Sequence, residues 1–131
     1  MKTSALNILR VGTAVTFLWI GVLIIKDPTA WTGLVQSWVE KLLPFSLDQA
    51  LIDTAILDLL IGFFLLIDRF VLTAALLGFL HLSIVLVVVG ITSITVRDIG
   101  LIASTLALVF SKYPEGFRPR NFKDFISLLT K

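Results

Sequence analysis

Apolar residues run along this chain in long blocks instead of alternating with polar ones. The longest, residues 70–96 (FVLTAALLGFLHLSIVLVVVGITSITV), carries no charged side chain over 27 positions. About 20 residues of helix cross the hydrocarbon core of a bilayer, so this block predicts a span over 70–91. Residues 5–25 (ALNILRVGTAVTFLWIGVLII) predict the first span, with Arg10 near its start. Residues 48–67 (DQALIDTAILDLLIGFFLLI) predict the second, although it contains Asp53 and Asp58. Residues 94–111 (ITVRDIGLIASTLALVFS) predict the last, with Arg97 and Asp98 in its opening turns. The expected fold is all-α: a polytopic membrane protein with a four-transmembrane-helix bundle in residues 1–112.

Two segments lie outside the spans. In residues 29–45 (TAWTGLVQSWVEKLLPF), Trp31, Leu34, Val35, Trp38 and Leu42 recur at helical spacing. Tryptophans on an apolar stripe suit the membrane interface. The segment therefore predicts a short interfacial helix over 29–43, between the first and second spans, equally describable as a lid on the bundle. Residues 113–131 predict a cytoplasmic amphipathic tail whose stripe is Phe122, Phe125, Ile126 and Leu129. Residues 1–25 read as a span and not as a cleaved signal, because no small-x-small site follows and Lys26-Asp27-Pro28 closes the run.

Composition agrees with lipid as the solvent. Hydrophobic residues make up 57% of the chain and charged ones 15%, against roughly a quarter charged in soluble domains. The net charge of +2 forms no nucleic-acid footprint, since the basic residues sit at the ends of apolar runs. Their distribution sets topology instead. Lys2, Arg10, Arg69, Lys112, Arg118, Arg120, Lys123 and Lys131 fall on one side of a four-span chain, and only Lys26, Lys41 and Arg97 on the other. Both termini are then cytoplasmic, in the plasma membrane.

Reactive residues are few. The absence of cysteine excludes disulfides, thiol relays and cysteine-bound metals. The single histidine, His81, cannot supply paired axial imidazoles to a haem. No catalytic set and no metal site is read. A self-contained redox or hydrolytic enzyme is excluded, which leaves at most a subunit of one.

The candidate chemistry is a handful of ionisable groups within the spans, where they turn toward a partner or a cavity. Lys26, Asp53, Arg97 and Asp98 are expected toward the outer side. They read either as a mutually neutralising ion-pair network or as the floor of an outward-facing pocket for a polar or quinone-like headgroup. Asp58 and His81 lie about 15 and 16 Å deep at a rise of ~1.5 Å per residue, so they share a level. They read either as a helix–helix hydrogen bond or as a proton relay or headgroup contact. Small-residue seams run through Asp58, Gly62 and Leu65, through Arg10, Ala14, Phe17 and Gly21, and through Gly100 and Ser104.

The order of these elements resembles the DoxX/DoxD-like family of small four-helix membrane proteins. The resemblance rests on Arg10, FLWIGVLIIKDPTAW (17–31), DLLIGFFLLIDR (58–69) and RDIGLIASTLAL (97–108), and covers about residues 8–112. Where the family usually has glutamate, this chain has Asp58, one methylene shorter, followed by Gly62. Gly21 and Lys26 match the family's Gly–Lys element with a longer gap, and Arg97 and Asp98 match its motif opening the last helix. The family takes its name from a small subunit of an archaeal thiosulfate:quinone oxidoreductase. The resemblance thus implies a membrane subunit of an oxidoreductase assembly. Such a subunit would bind a quinone or similar amphipathic ligand near Lys26, Asp53, Asp58, His81, Arg97 and Asp98. A protein partner or a second copy is expected with it. Two other classes remain open: a proton-coupled small transporter or exporter, and a ligand-free scaffold or assembly factor.

Overall fold

The computed structural model describes residues 3–113 and 121–130, and all regular structure among them is helical. In chain order the helices are α1 (Thr3–Lys26), α2 (Thr29–Thr32), α3 (Ser37–Glu40), α4 (Leu47–Leu66), α5 (Val71–Val89), α6 (Val96–Lys112) and α7 (Phe122–Leu129). Three stretches, Ser4–Lys26, Leu47–Leu66 and Val71–Val89, are long and apolar enough to cross a membrane. Their outward faces are hydrocarbon: Ile8, Val15, Trp19 and Val87 are each more than half exposed. Water would penalise that surface and lipid does not. The chain is a membrane protein.

Each helix stops for a local reason. α1 ends at Lys26, whose ammonium lies in the last turn where the helix dipole favours a cation. Asp27 then holds the turn into α2: its carboxylate accepts from Thr29 Oγ1 at 2.7 Å and from the Ala30 N–H at 3.2 Å. These bonds, the Thr29 hydroxyl first, hold the Asp27 carboxyl below its ordinary value. Ser46 caps α4 by accepting from the Gln49 N–H at 3.3 Å. Between α4 and α5 the chain reverses through Asp68 and Phe70, at φ 58° and 53°. Such left-handed geometry is costly for a bulky residue. Edge-to-face contact of Phe70 with Phe64, at 5.6 Å between centroids, offsets part of the cost.

α1 and α4 pack antiparallel with their backbones nearly touching. A Cβ on Gly62 would stand 2.9 Å from the Ala14 carbonyl oxygen and the Leu18 nitrogen, and one on Gly21 would stand 2.9 Å from the Ala55 carbonyl oxygen. Without hydrophobic drive between helices in lipid, this close van der Waals contact holds them together. Gly78 of α5 plays a similar part, with Phe17, Thr105 and Ile61 atoms 3.1–3.4 Å from where its Cβ would be. The seam expected along Gly100 and Ser104 is not packed within the chain: a Cβ at Gly100 would meet nothing within 4 Å. Ser104 Oγ instead donates to the Gly100 carbonyl at 2.8 Å.

Three further expectations need correction. The interfacial helix expected over 29–43 is two four-residue helices, α2 and α3. Gln36 takes an extended conformation and its N–H donates to the Val88 carbonyl at 3.1 Å, which ties the segment to the end of α5. The third span ends at Val89, not 91, because Gly90 turns to φ 82° and Thr92 and Thr95 satisfy the following backbone. In the tail, Leu128 is the buried residue of α7, while Phe122, Phe125 and Ile126 are exposed. α7 meets α5 through a hydrogen bond from the Thr73 hydroxyl to the Leu129 carbonyl. Of the expected tail, residues 114–120 and 131 lie outside the described residues, as does Lys2.

Candidate ligand-binding site

Beneath α2 and α3 the long helices part to leave a cavity of about 250 Å³. On α4 the positions facing it include Leu47, Leu51, Thr54 and Asp58, and on α5 they include His81, Val85 and Val88. Both sets follow the three- and four-residue spacing of one helix face. Phe17, Ile20 and Ile24 of α1 close a third side, and Trp31, Leu34 and Val39 form the roof. The lid segment therefore turns its apolar side to the cavity. Trp38 and Leu42, expected on the same stripe, are exposed because the break at Gln36 rotates α3 away from α2.

The ionisable groups lining this apolar space are Asp58, His81, Arg97 and Asp98. Asp58 and His81 meet across α4 and α5, with Oδ1 3.1 Å from Nε2 and side chains only 6% and 11% exposed. The contact is close, but its direction is not that of a good hydrogen bond, and no other described group hydrogen-bonds Asp58 Oδ1. Arg97 Nε stands 3.6 Å from Asp98 Oδ1; the Asp98 side chain is 7% exposed, whereas that of Arg97 is 44% exposed. The loop before α6 fixes this second pair. Thr95 Oγ1 donates to the Gly90 carbonyl at 2.6 Å and accepts from the Thr92 N–H at 2.8 Å. The Asp98 N–H then donates to the Thr95 carbonyl at 2.9 Å.

Of the six residues singled out in the sequence, the structure gathers these four and leaves two apart. Asp53 is exposed and accepts from Gln49 Nε2 at 2.9 Å, one turn earlier on α4. Lys26 is exposed at the end of α1. Neither lines the cavity, and neither joins Arg97 and Asp98 in a network. Sequence reasoning did not single out Gly90 and Thr95, which aim the start of α6, nor the tether at Gln36. The signal for the first was the TSIT stretch after a glycine; the tether has none, since it joins backbone atoms of distant segments.

At the other end of the bundle Arg10 makes a contrasting arrangement. Its guanidinium donates to the Leu65 carbonyl and, at 3.1 Å, to the Leu66 carbonyl at the end of α4. It also pairs with Asp68 at 3.3 Å, which Lys112 approaches to 4.0 Å. Here a buried cation caps a helix C-terminus.

No protein-family model, no curated protein and no solved structure matches the chain. The site is therefore read from its own chemistry. A space with apolar walls and a few convergent polar groups is the usual form of a small-molecule site. Among the described residues no three His, Cys, Asp or Glu side chains converge to hold a metal ion. The arrangement suits an apolar body with a polar end.

Proposed function

We propose that this chain is a DoxX-like membrane subunit of an oxidoreductase assembly that holds a quinone or similar amphipathic ligand in the cavity under the lid. One observation carries the reading: an apolar cavity whose ionisable lining comprises Asp58, Asp98, His81 and Arg97, with Asp58 Oδ1 short of hydrogen bonds. Buried polar groups are normally satisfied, and a bound headgroup would complete them. The size fits, since a cavity of roughly 150 Å³ takes a benzene ring and this one measures about 250 Å³. His81 and Arg97 supply N–H donors, Asp58 and Asp98 supply acceptors, and Phe17, Ile20 and Val85 flank the apolar body. A bound quinone would supply the electron-accepting chemistry, with electrons brought by a partner protein.

In this reading α6 is the fourth span. Its 17 residues rise about 25 Å, short of the ~30 Å core, and Arg97 and Lys112 at its two ends would reach the interfaces. The Lys and Arg bias places both termini in the cytoplasm of a plasma-membrane protein and the lid outside. Purification in mild detergent followed by extraction and mass spectrometry tests the ligand directly. Retained quinone, and a thermal shift with a short-chain benzoquinone that Arg97→Ala weakens, are the expected results. Neither retained ligand nor any shift would overturn the proposal.

A further inference from the structure

The balance of donors and acceptors in the cavity narrows the headgroup, given the reading above that the cavity is a ligand site. Asp58 is the more sheltered partner of its pair, and His81 Nε2 is the one described group against its Oδ1. The contact is poorly directed, so His81 leaves Asp58 Oδ1 without a full hydrogen bond. The guanidinium of Arg97 is half-exposed and directed at Asp98. The cavity thus offers its buried depth mainly carboxylate oxygens, while its spare donors stand at the half-exposed edge. A carboxylate accepts and does not donate. A ring that presents only carbonyl oxygens would leave Asp58 short of a donor, whereas a ring hydroxyl would provide one.

We infer that the site prefers the hydroxyl-bearing form of its amphipathic ligand, the quinol or phenol, over the carbonyl form, with the hydroxyl donating to Asp58. On this arrangement Asp58 selects by hydrogen bonding, and Arg97 is placed to donate to an oxygen elsewhere on the headgroup. The preference should be sizeable, because leaving a buried acceptor without a donor changes affinity about tenfold or more.

The test uses the full-length protein in detergent and a probe pair free of redox chemistry: 4-nonylphenol and its O-methyl ether. Binding is read by quenching of tryptophan fluorescence, since Trp31 lines the cavity, and by thermal shift. The wild type should bind the phenol about tenfold or more tighter than the ether. Asp58→Asn, which replaces an acceptor oxygen with an N–H donor, should lose that preference and gain affinity for a short-chain benzoquinone. Equal binding of phenol and ether by the wild type overturns the inference while leaving the cavity a ligand site. Binding of neither probe, nor of the benzoquinone, removes the ligand site and the inference with it. The wild-type comparison decides even if Asp58→Asn does not fold. A long-chain alkylammonium binding tighter than the phenol would show that charge and not the hydroxyl is selected, and would also overturn it.

Discussion

At the end of the bundle that carries the α4–α5 turn, Ile61, Leu65 and Leu108 are at most 2% exposed, a methyl group on Gly62 would collide with the backbone of α1, and one on Gly78 would crowd three side chains. At the other end the same helices part around a cavity of about 250 Å³. The polar groups differ in what they reach. Arg10 donates to two carbonyls and pairs with a carboxylate, although its Nε has no well-directed hydrogen bond, whereas Asp58 and Asp98, more deeply buried, each face one ionisable side chain beside the cavity. Polar groups that only hold helices together are expected to satisfy one another. A protein that fills one half of its interior and sets its buried carboxylates beside an open space in the other has its packing in the first half. The second is where local rules are broken as they are at functional sites.

The strongest way to break that contrast is to force the packed half open. Gly62→Leu drives a side chain into the backbone of α1 and should cost about 3 kcal/mol or more, seen as loss of the folded monodisperse protein or a large fall in Tm. Arg10→Ala should come next, at about 1–3 kcal/mol, because it leaves two carbonyls without their donor and Asp68 with Lys112 alone. Its ligand affinity should stay at the wild-type value in a binding titration. A large affinity change would mean that the two halves are not independent. The smallest effect belongs to the lid, whose bonds are the more exposed ones. Gln36 sits at φ −67°, a value proline adopts without strain. Gln36→Pro therefore removes the hydrogen bond to Val88 and the exposed one that Trp38 Nε1 donates to Gln36 Oε1 at 2.6 Å, and should cost about 1–2 kcal/mol, while speeding ligand exchange in a stopped-flow dissociation measurement.

How far the sequence foretold this follows from what one-dimensional patterns encode. Length and hydropathy identified the three spanning helices, because in lipid a helix must be apolar along its whole length. Counting residues inward gave Asp58 and His81 a common level, and they stand 3.1 Å apart. The same counting grouped Asp53 and Lys26 with Arg97 and Asp98, and here it had no power. Depth along a helix says nothing of direction around it. Asp53 is five residues from Asp58, which places it about 140° around the helix at 3.6 residues per turn, out of the cavity. The break at Gln36 was illegible for a different reason: the Trp31–Leu42 spacing is helical throughout, and a backbone hydrogen bond from a remote segment overrides it. The glycines could be read as seams, but which were used could not. Gly21 and Gly62 face each other's helices, while Gly100 faces outward.

The claim that the cavity half is a site and not scaffolding can be tested with Asp58→Leu, melted with and without a short-chain benzoquinone or quinol. The account predicts a ligand-free Tm close to that of the wild type, because an incompletely met buried carboxylate is exchanged for hydrocarbon while His81 loses only a poorly directed contact, together with loss of the ligand-induced shift. A markedly lower ligand-free Tm with the ligand shift intact would contradict it, and would make Asp58 a bolt between α4 and α5.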